Sequence, residues 1–132
     1  MADYITDIID RYEDDLQKVT QYGIDLAFVE EQTPELCLAA VQNDGWALEY
    51  VREQTPKLCL AAVKQNGYAL HYVKEQTPEL CVAAVKENAC ALQYVKEQTY
   101  ELCLAAGKQN VYALQFIKDL QIKEKIRLEL NL

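Results

Sequence analysis

Apolar and polar positions recur along this chain in one 22-residue pattern. Residues 53–74 show it. Polar Glu53-Gln54-Thr55-Pro56-Lys57 leads into the apolar run Leu58 to Val63. Lys64-Gln65-Asn66-Gly67 then breaks the run before Tyr68-Ala69-Leu70-His71-Tyr72-Val73-Lys74. Residues 31–52, 75–96 and 97–118 are further copies. A fixed period in this range is the signature of a stacked repeat array. The register also reaches backwards. Val19, Gln21, Gly23, Leu26, Phe28 and Val29 stand where Val63, Gln65, Gly67, Leu70, Tyr72 and Val73 stand, so residues 9–30 read as a diverged first unit. After Lys118 the register fails, and residues 119–132 read as a capping segment.

Each unit decodes as two short helices. Thr55 suits an N-cap, because its hydroxyl can accept from an orphan amide of the first turn. Pro56 suits N1, where its missing N–H costs nothing. The first helix is predicted from Pro56 to Gln65. Asn66-Gly67 ends it, and Asn66 can cap a second helix over Gly67 to Lys74. The first helix is apolar on nearly every side, as expected of one buried between neighbours. In the second, Ala69, Leu70, Tyr72 and Val73 are predicted to face inward, with His71 and Lys74 on the wet side. Helices this short are unstable alone and must be held by stacking.

The predicted fold class is therefore all-α. It is a short α-solenoid of about five 22-residue helix-turn-helix repeats with capping helices at both ends. Residues 1–132 form one domain: an acidic N-terminal cap and diverged repeat over 1–30, four clear repeats over 31–118, and a C-terminal capping helix over 119–132. At the N-terminal end, Ile5, Ile8, Ile9 and Leu16 are expected to close the stack. At the other, Ile122, Ile126 and Leu130 share one helix face, which either closes the last unit or meets a partner or second copy.

The string Leu60-Ala61-Ala62-Val63-Lys64-Gln65-Asn66-Gly67-Tyr68-Ala69-Leu70 resembles the helical repeats of domain of unknown function 4116, over roughly residues 17–118. The copies depart from that pattern at Ala89 and Val111 in place of Gly, at Gly107 in place of Val, and at Tyr100 in place of Pro. Such repeats occur in bacterial and large-virus proteins. The resemblance implies a fold and supplies no catalytic residues.

Charge changes this picture at one end. The 132 residues carry a formal net charge of −8. Residues 1–30 hold eight acids and two bases, while residues 31–118 hold ten acids and eight bases and residues 119–132 hold three of each. The acidity is thus N-terminal, and Asp10, Glu13, Asp14 and Asp15 are candidates for a solubilising cap or a docking point for a basic partner. Bulk charge of this sign does not favour nucleic acid or anionic lipid. The acidic start Met1 to Asp7 lacks the basic and apolar parts of a secretory signal. No apolar run suits a membrane span, and Leu130-Asn131-Leu132 forms no lipidation motif. A cytosolic location is expected, in a host cell if the gene is viral.

Cys37, Cys59, Cys81 and Cys103 fall at the same position of successive copies, inside apolar runs. They read as a ladder of buried thiols. No CxxC spacing occurs and His71 is the sole histidine, so neither metal nor cofactor is expected. No phosphate or dinucleotide loop and no nucleophile–base pair is present, and the expectation is a protein that is not an enzyme.

Where the copies differ, recognition can reside. One position of the second helix holds Trp46, Tyr68, Cys90 and Tyr112. Another, three residues on, holds Glu49, His71, Gln93 and Gln115. Residues at i and i+3 share a helix face, so the eight form a two-column ladder, which is either drift at half-exposed positions or a protein-binding strip. Phe28, Tyr50, Tyr72, Tyr94 and Phe116 keep one register as core or seam residues. Arg52, Lys74, Lys96 and Lys118 close the second helices, the first three beside a Glu that would neutralise them. The expected function is a protein–protein interaction module using the ladder. The alternatives are a small acidic inhibitor of a nucleic-acid-binding or defence protein, and a structural repeat that self-associates by end stacking or through the C-terminal helix.

Overall fold

The computed structural model describes residues 2–132. Its elements alternate between α-helices and 3-10 helices, with no strand among the described residues. The order is α1 (Ala2–Gln21), η1 (Gly23–Phe28), α2 (Pro34–Asn43), η2 (Gly45–Tyr50), α3 (Pro56–Gln65), η3 (Gly67–Tyr72), α4 (Pro78–Glu87), η4 (Ala89–Tyr94), α5 (Tyr100–Gln109), η5 (Val111–Phe116) and α6 (Leu120–Glu129). Successive α-helices pack on one another, as do successive 3-10 helices, so each unit is one rung of an all-α solenoid.

The caps act as the sequence predicts. Thr33, Thr55, Thr77 and Thr99 accept the amide of the residue three on, each at 3.2 Å. Asp44, Asn66, Asn88 and Asn110 do the same for the 3-10 helices, accepting the amide two residues on.

The second helix is a correction to the sequence reading. It is a 3-10 helix ending at Tyr72, not a longer helix reaching Lys74. A glutamine clamp stops it. Gln54 Nε2 donates to the Tyr72 carbonyl at 2.7 Å, and its Oε1 accepts the Lys74 amide at 3.0 Å. Gln32, Gln76 and Gln98 make the same pair of bonds in their units. Both groups that would continue a helix are thus taken. The tighter winding also suits the length: six residues at ~2.0 Å rise span about 12 Å, close to the ~15 Å of a ten-residue α-helix.

The clamp reaches the thiol ladder. Cys37, Cys59, Cys81 and Cys103 donate to the Oε1 of the glutamine of their own unit, at 3.5 to 3.9 Å. All four are buried and free. Burial holds each thiol above its ordinary value, Cys103 up to about 11 with Asp119 adding to the shift.

Between units the close approach depends on glycine. A Cβ at Gly45 would stand 2.6 Å from the Ala62 carbonyl oxygen, and one at Gly67 2.5 Å from that of Ala84. The Gly45 amide also donates to Gln65 Oε1 of the next unit at 2.6 Å. Basic side chains add a second tie. Arg52 donates to the carbonyls of Glu30 and Val29, and Lys118 to that of Val95. The expected neutralisation by neighbouring glutamates is not formed. The ion pairs among the described residues are Lys18–Asp14 and Arg127–Glu124; Arg52 and Lys118 turn instead to carbonyls at the end of the preceding 3-10 helix.

Both ends differ from the middle. The N-terminal cap and the first α-helix of the diverged unit are one continuous 20-residue helix, α1. Its Leu16 and Tyr12 join the core, but Ile5, Ile8 and Ile9 are about half exposed. These isoleucines therefore do not close the stack. The reason is length. Asn43 Nδ2, at the end of α2, donates to the Thr20 carbonyl near the end of α1. With those ends level, α1 is twice as long as α2 and projects past it at its own N-terminus.

At the C-terminus α6 packs on α5, with Ile126 fully buried and Ile122 and Leu130 against the core. Two departures of the last unit serve this contact. Tyr100 hydrogen-bonds Glu129, and Lys125 lies 4.5 Å from the Tyr100 ring centre. Gly107 leaves room for Leu114 and Leu130, since a Cβ there would meet them at 2.7 and 3.3 Å. Val111, where the first three units have glycine, is half exposed because no further unit approaches it.

Candidate functional site

The two variable columns lie on the 3-10 helices, one rung apart. Trp46, Tyr68 and His71 lean on the conserved-register aromatic of the next unit. Trp46 meets Tyr72 edge-on at 5.6 Å between ring centres, and Tyr68 meets Tyr94 at 6.1 Å. His71 contacts both Tyr72, at 4.9 Å, and Tyr94, at 4.7 Å. Trp46 and Tyr68 are themselves near-parallel at 6.5 Å. Aromatic pairs at such distances contribute about 0.5–1.5 kcal/mol beyond burial. The result is a continuous aromatic strip with Trp46, Tyr68, Tyr72 and Tyr94 half-buried and His71 exposed.

The eight ladder positions do not form one uniform surface. Trp46, Tyr68 and His71 are joined by ring contacts. Glu49 is exposed; burial, with the Glu49 carboxylate adding to it, pushes the Tyr72 phenol up. Cys90 is half-buried, and the Asn110 amide points at its sulfur from 4.0 Å. Gln93 and Gln115 turn back to donate to the carbonyls of Cys90 and Tyr112, each at 3.0 Å. Tyr112 is 72% exposed, because no later rung carries an aromatic to cover it.

The same rule corrects the third column. Phe28, expected in the core or seam, is 83% exposed. It has no preceding rung. Tyr50 is only partly covered, since Ile24 and Ala27 occupy the two positions that Trp46 and Glu49 fill for Tyr72. Tyr72, Tyr94 and Phe116 are the members packed against the core. Tyr72 and Tyr94 thus belong to the candidate site as much as the ladder does, and their fixed register with the ladder was the sequence signal for it.

The four acidic candidates do not share a face. Asp10, Glu13, Asp14 and Asp15 lie on α1, where successive residues turn by about 100°, so the run 13–15 fans around the helix. Asp14 pairs with Lys18 at 2.8 Å, both more than half exposed, and holds the lysine above its ordinary value. These two replace Leu36 and Ala40, which the next unit buries. Spacing instead aligns Asp3, Asp7, Asp10 and Asp14 in one row on the open end of the stack.

The sequence matches the family described as Domain of unknown function (DUF4116) over residues 33–77 and again over residues 55–99. The chain belongs to the DUF4116 family. The matches start one repeat apart, so each takes in about two units of the solenoid. No curated protein and no solved structure matches the chain. Within the DUF4116 repeats of this protein the fixed positions are accounted for by caps, clamps and close approach, and the two variable columns lie on the 3-10 side. Among the described residues no helix is long and apolar enough to cross a membrane, and no cluster of metal-ligating side chains is present.

Proposed function

We propose that this protein is a non-enzymatic protein–protein interaction module that binds its partner through the aromatic strip on the 3-10 side. One observation carries the reading. Three of the positions at which the repeats differ, Trp46, Tyr68 and His71, join through the fixed-register rings of Tyr72 and Tyr94 into one half-exposed surface. Trp and Tyr are typical interface anchors, and a solenoid presents them along an extended face. The test is the double variant Trp46→Ala/Tyr68→Ala in an affinity purification from native lysate, read by mass spectrometry. With the fold intact by circular dichroism, the variant is expected to lose the partners held by the wild type. Identical partner sets at equal abundance overturn the strip.

The acidic row Asp3, Asp7, Asp10 and Asp14 supports a second reading, an inhibitor that occupies a basic surface on a nucleic-acid-binding protein. Its complex would weaken steeply with salt, whereas one built on the aromatic strip would hold. In either reading the place of action is the cytosol.

A further inference from the structure

The five 3-10 helices contain no Lys or Arg, and their acids are Asp25 and Glu49. With three residues per turn, Glu49 stands on the same side of η2 as Trp46, and it is exposed. The strip is also rich in unused donors. Among the described residues, the Trp46 indole N–H and the phenols of Tyr68 and Tyr94 hydrogen-bond nothing within the chain. None of the three is a buried polar atom without a partner, so all three are open to solvent. Their rings, meanwhile, are held by contact with one another and with Tyr72.

A row of donors among ring faces is complemented by a segment that brings acceptors and apolar rings and has no amide to satisfy. A proline-rich segment has those properties. In the polyproline II conformation its carbonyls make no internal hydrogen bonds. Proline carries no N–H, and such segments dock on aromatic-lined surfaces. The periods agree as well. Polyproline II turns once every three residues, about 9 Å, and packed helices stand about 8–10 Å apart. A segment lying along the stack therefore offers each rung the same side. Other modes of peptide recognition find less here. An added strand has no sheet edge to join, since no strand occurs among the described residues. An amphipathic helix needs a continuous apolar groove, whereas Glu49 and Gln93 interrupt the strip.

We infer that the strip binds a proline-rich segment of another protein in the polyproline II conformation. The segment runs along the stack across η2, η3 and η4, with a Lys or Arg beside Glu49. This rests on the strip being the interface, and it adds the class of partner. Trp46, Tyr68 and Tyr94 donate to the segment's carbonyls, and the rings of Trp46, Tyr68 and Tyr72 take its prolines.

Trp46 is the sole tryptophan, so its fluorescence reads the site directly. The probe is an unlabelled peptide of two arginines followed by nine prolines. Its prolines span about 28 Å, enough to cross the three rungs, and it adds no emission of its own. Titrated into the full chain, it is expected to give a saturable change in Trp46 emission. The same peptide built from D-proline has equal charge and apolar area but the mirror-image helix, and it should give none. Neither should a peptide with Gly and Ser in place of proline. Tyr68→Phe keeps the ring and removes one donor, and should weaken binding about threefold or more. Glu49→Gln should weaken the arginine-bearing peptide about twofold or more and leave nine prolines alone unaffected. Circular dichroism checks that both variants keep the fold. No change in emission, an equal response to the D-proline or Gly/Ser peptide, or affinities that neither variant moves overturns the proposal. The wider reading is tested apart from it. Loss of the lysate partners by Trp46→Ala/Tyr68→Ala, with no binding of the proline peptide, would leave the strip as the interface and overturn the class of partner.

Discussion

At Gly67 the next unit passes so close that the amino-acid side chain is the only thing to give up. A Cβ there would sit 2.5 Å from the Ala84 carbonyl oxygen and 3.2 Å from the backbone and Cβ of Asn88. None of these is the flexible end of a side chain, so relief requires the two rungs to separate. Gly67→Ala is expected to lower stability by about 1–3 kcal/mol, as overpacking in a close-packed interior does. The chain contains its own control. Val111 occupies the same repeat position but is 48% exposed, so Val111→Ala should stay within about 0.5 kcal/mol of wild type. Urea unfolding of the two variants side by side reads the difference. Equal effects would mean that the glycine serves turn flexibility and not close approach. The repeat thus uses one position in two ways, according to whether another rung packs against it.

At the scale of elements, α2 to α4 were legible to the residue, because Thr-Pro fixes each start and the Asp or Asn that follows each helix caps the next one through local chemistry. The 3-10 winding of the second helices was not. Ala69, Leu70 and Val73 are apolar at a spacing that either helix type accepts, and the bond that holds the end of the element comes from a glutamine eighteen residues earlier in the chain. The candidate strip was half legible for a similar reason. A ladder on one face follows from register, but its cover comes from the neighbouring rung. The sequence pattern therefore could not separate Phe28, with no rung before it, from Tyr94. The irregularities Tyr100 and Gly107 were visible as departures and acquire a meaning only with α6 in place. They make a prediction against consensus. Gly107→Val restores the residue of the other repeats, yet its side chain would occupy the space of Leu114 and Leu130. The variant should loosen α6 from α5, so trypsin should cleave at Lys123, Lys125 and Arg127 faster than in wild type while the rest of the chain resists. Unchanged cleavage would mean that α6 is held by Ile126 and the Tyr100–Glu129 bond without need of that space.

For the whole molecule, a stack of rungs is as cooperative as its weakest joint, since each unit touches only its neighbours. The joints here are not equal. Gly23, Gly45 and Gly67 let the following α-helix close in, but the fourth joint has Ala89 at that position. The α5 helix packs visibly less closely on α4 than α3 does on α2 or α4 on α3. A methyl group that earlier rungs lack stands between them, and Ala89 is 2% exposed, so that methyl faces protein and not water. The amides of Gly23 and Gly45 are also tied to the side chains of Asn43 and Gln65 in the next rung. At the fourth joint the side-chain ties run elsewhere, from Gln109 to the Lys86 carbonyl, Gln98 to the Leu92 carbonyl, Asn110 to the Cys90 sulfur and Lys118 to the Val95 carbonyl, so the weakness lies in the packing of α5 on α4. The last rung and α6 should therefore open as one body before the rest unfolds, a local opening of lower free energy than the global one. Native-state hydrogen exchange should show a step in protection between α4 and α5, with α5 and α6 sharing one lower opening energy. Ala89→Gly removes the methyl group and should shrink that step, even though glycine costs about 0.5–1 kcal/mol in chain entropy and lowers protection elsewhere. Protection that declines smoothly toward the C-terminus, unmoved by Ala89→Gly, would show ordinary end fraying and no wedge.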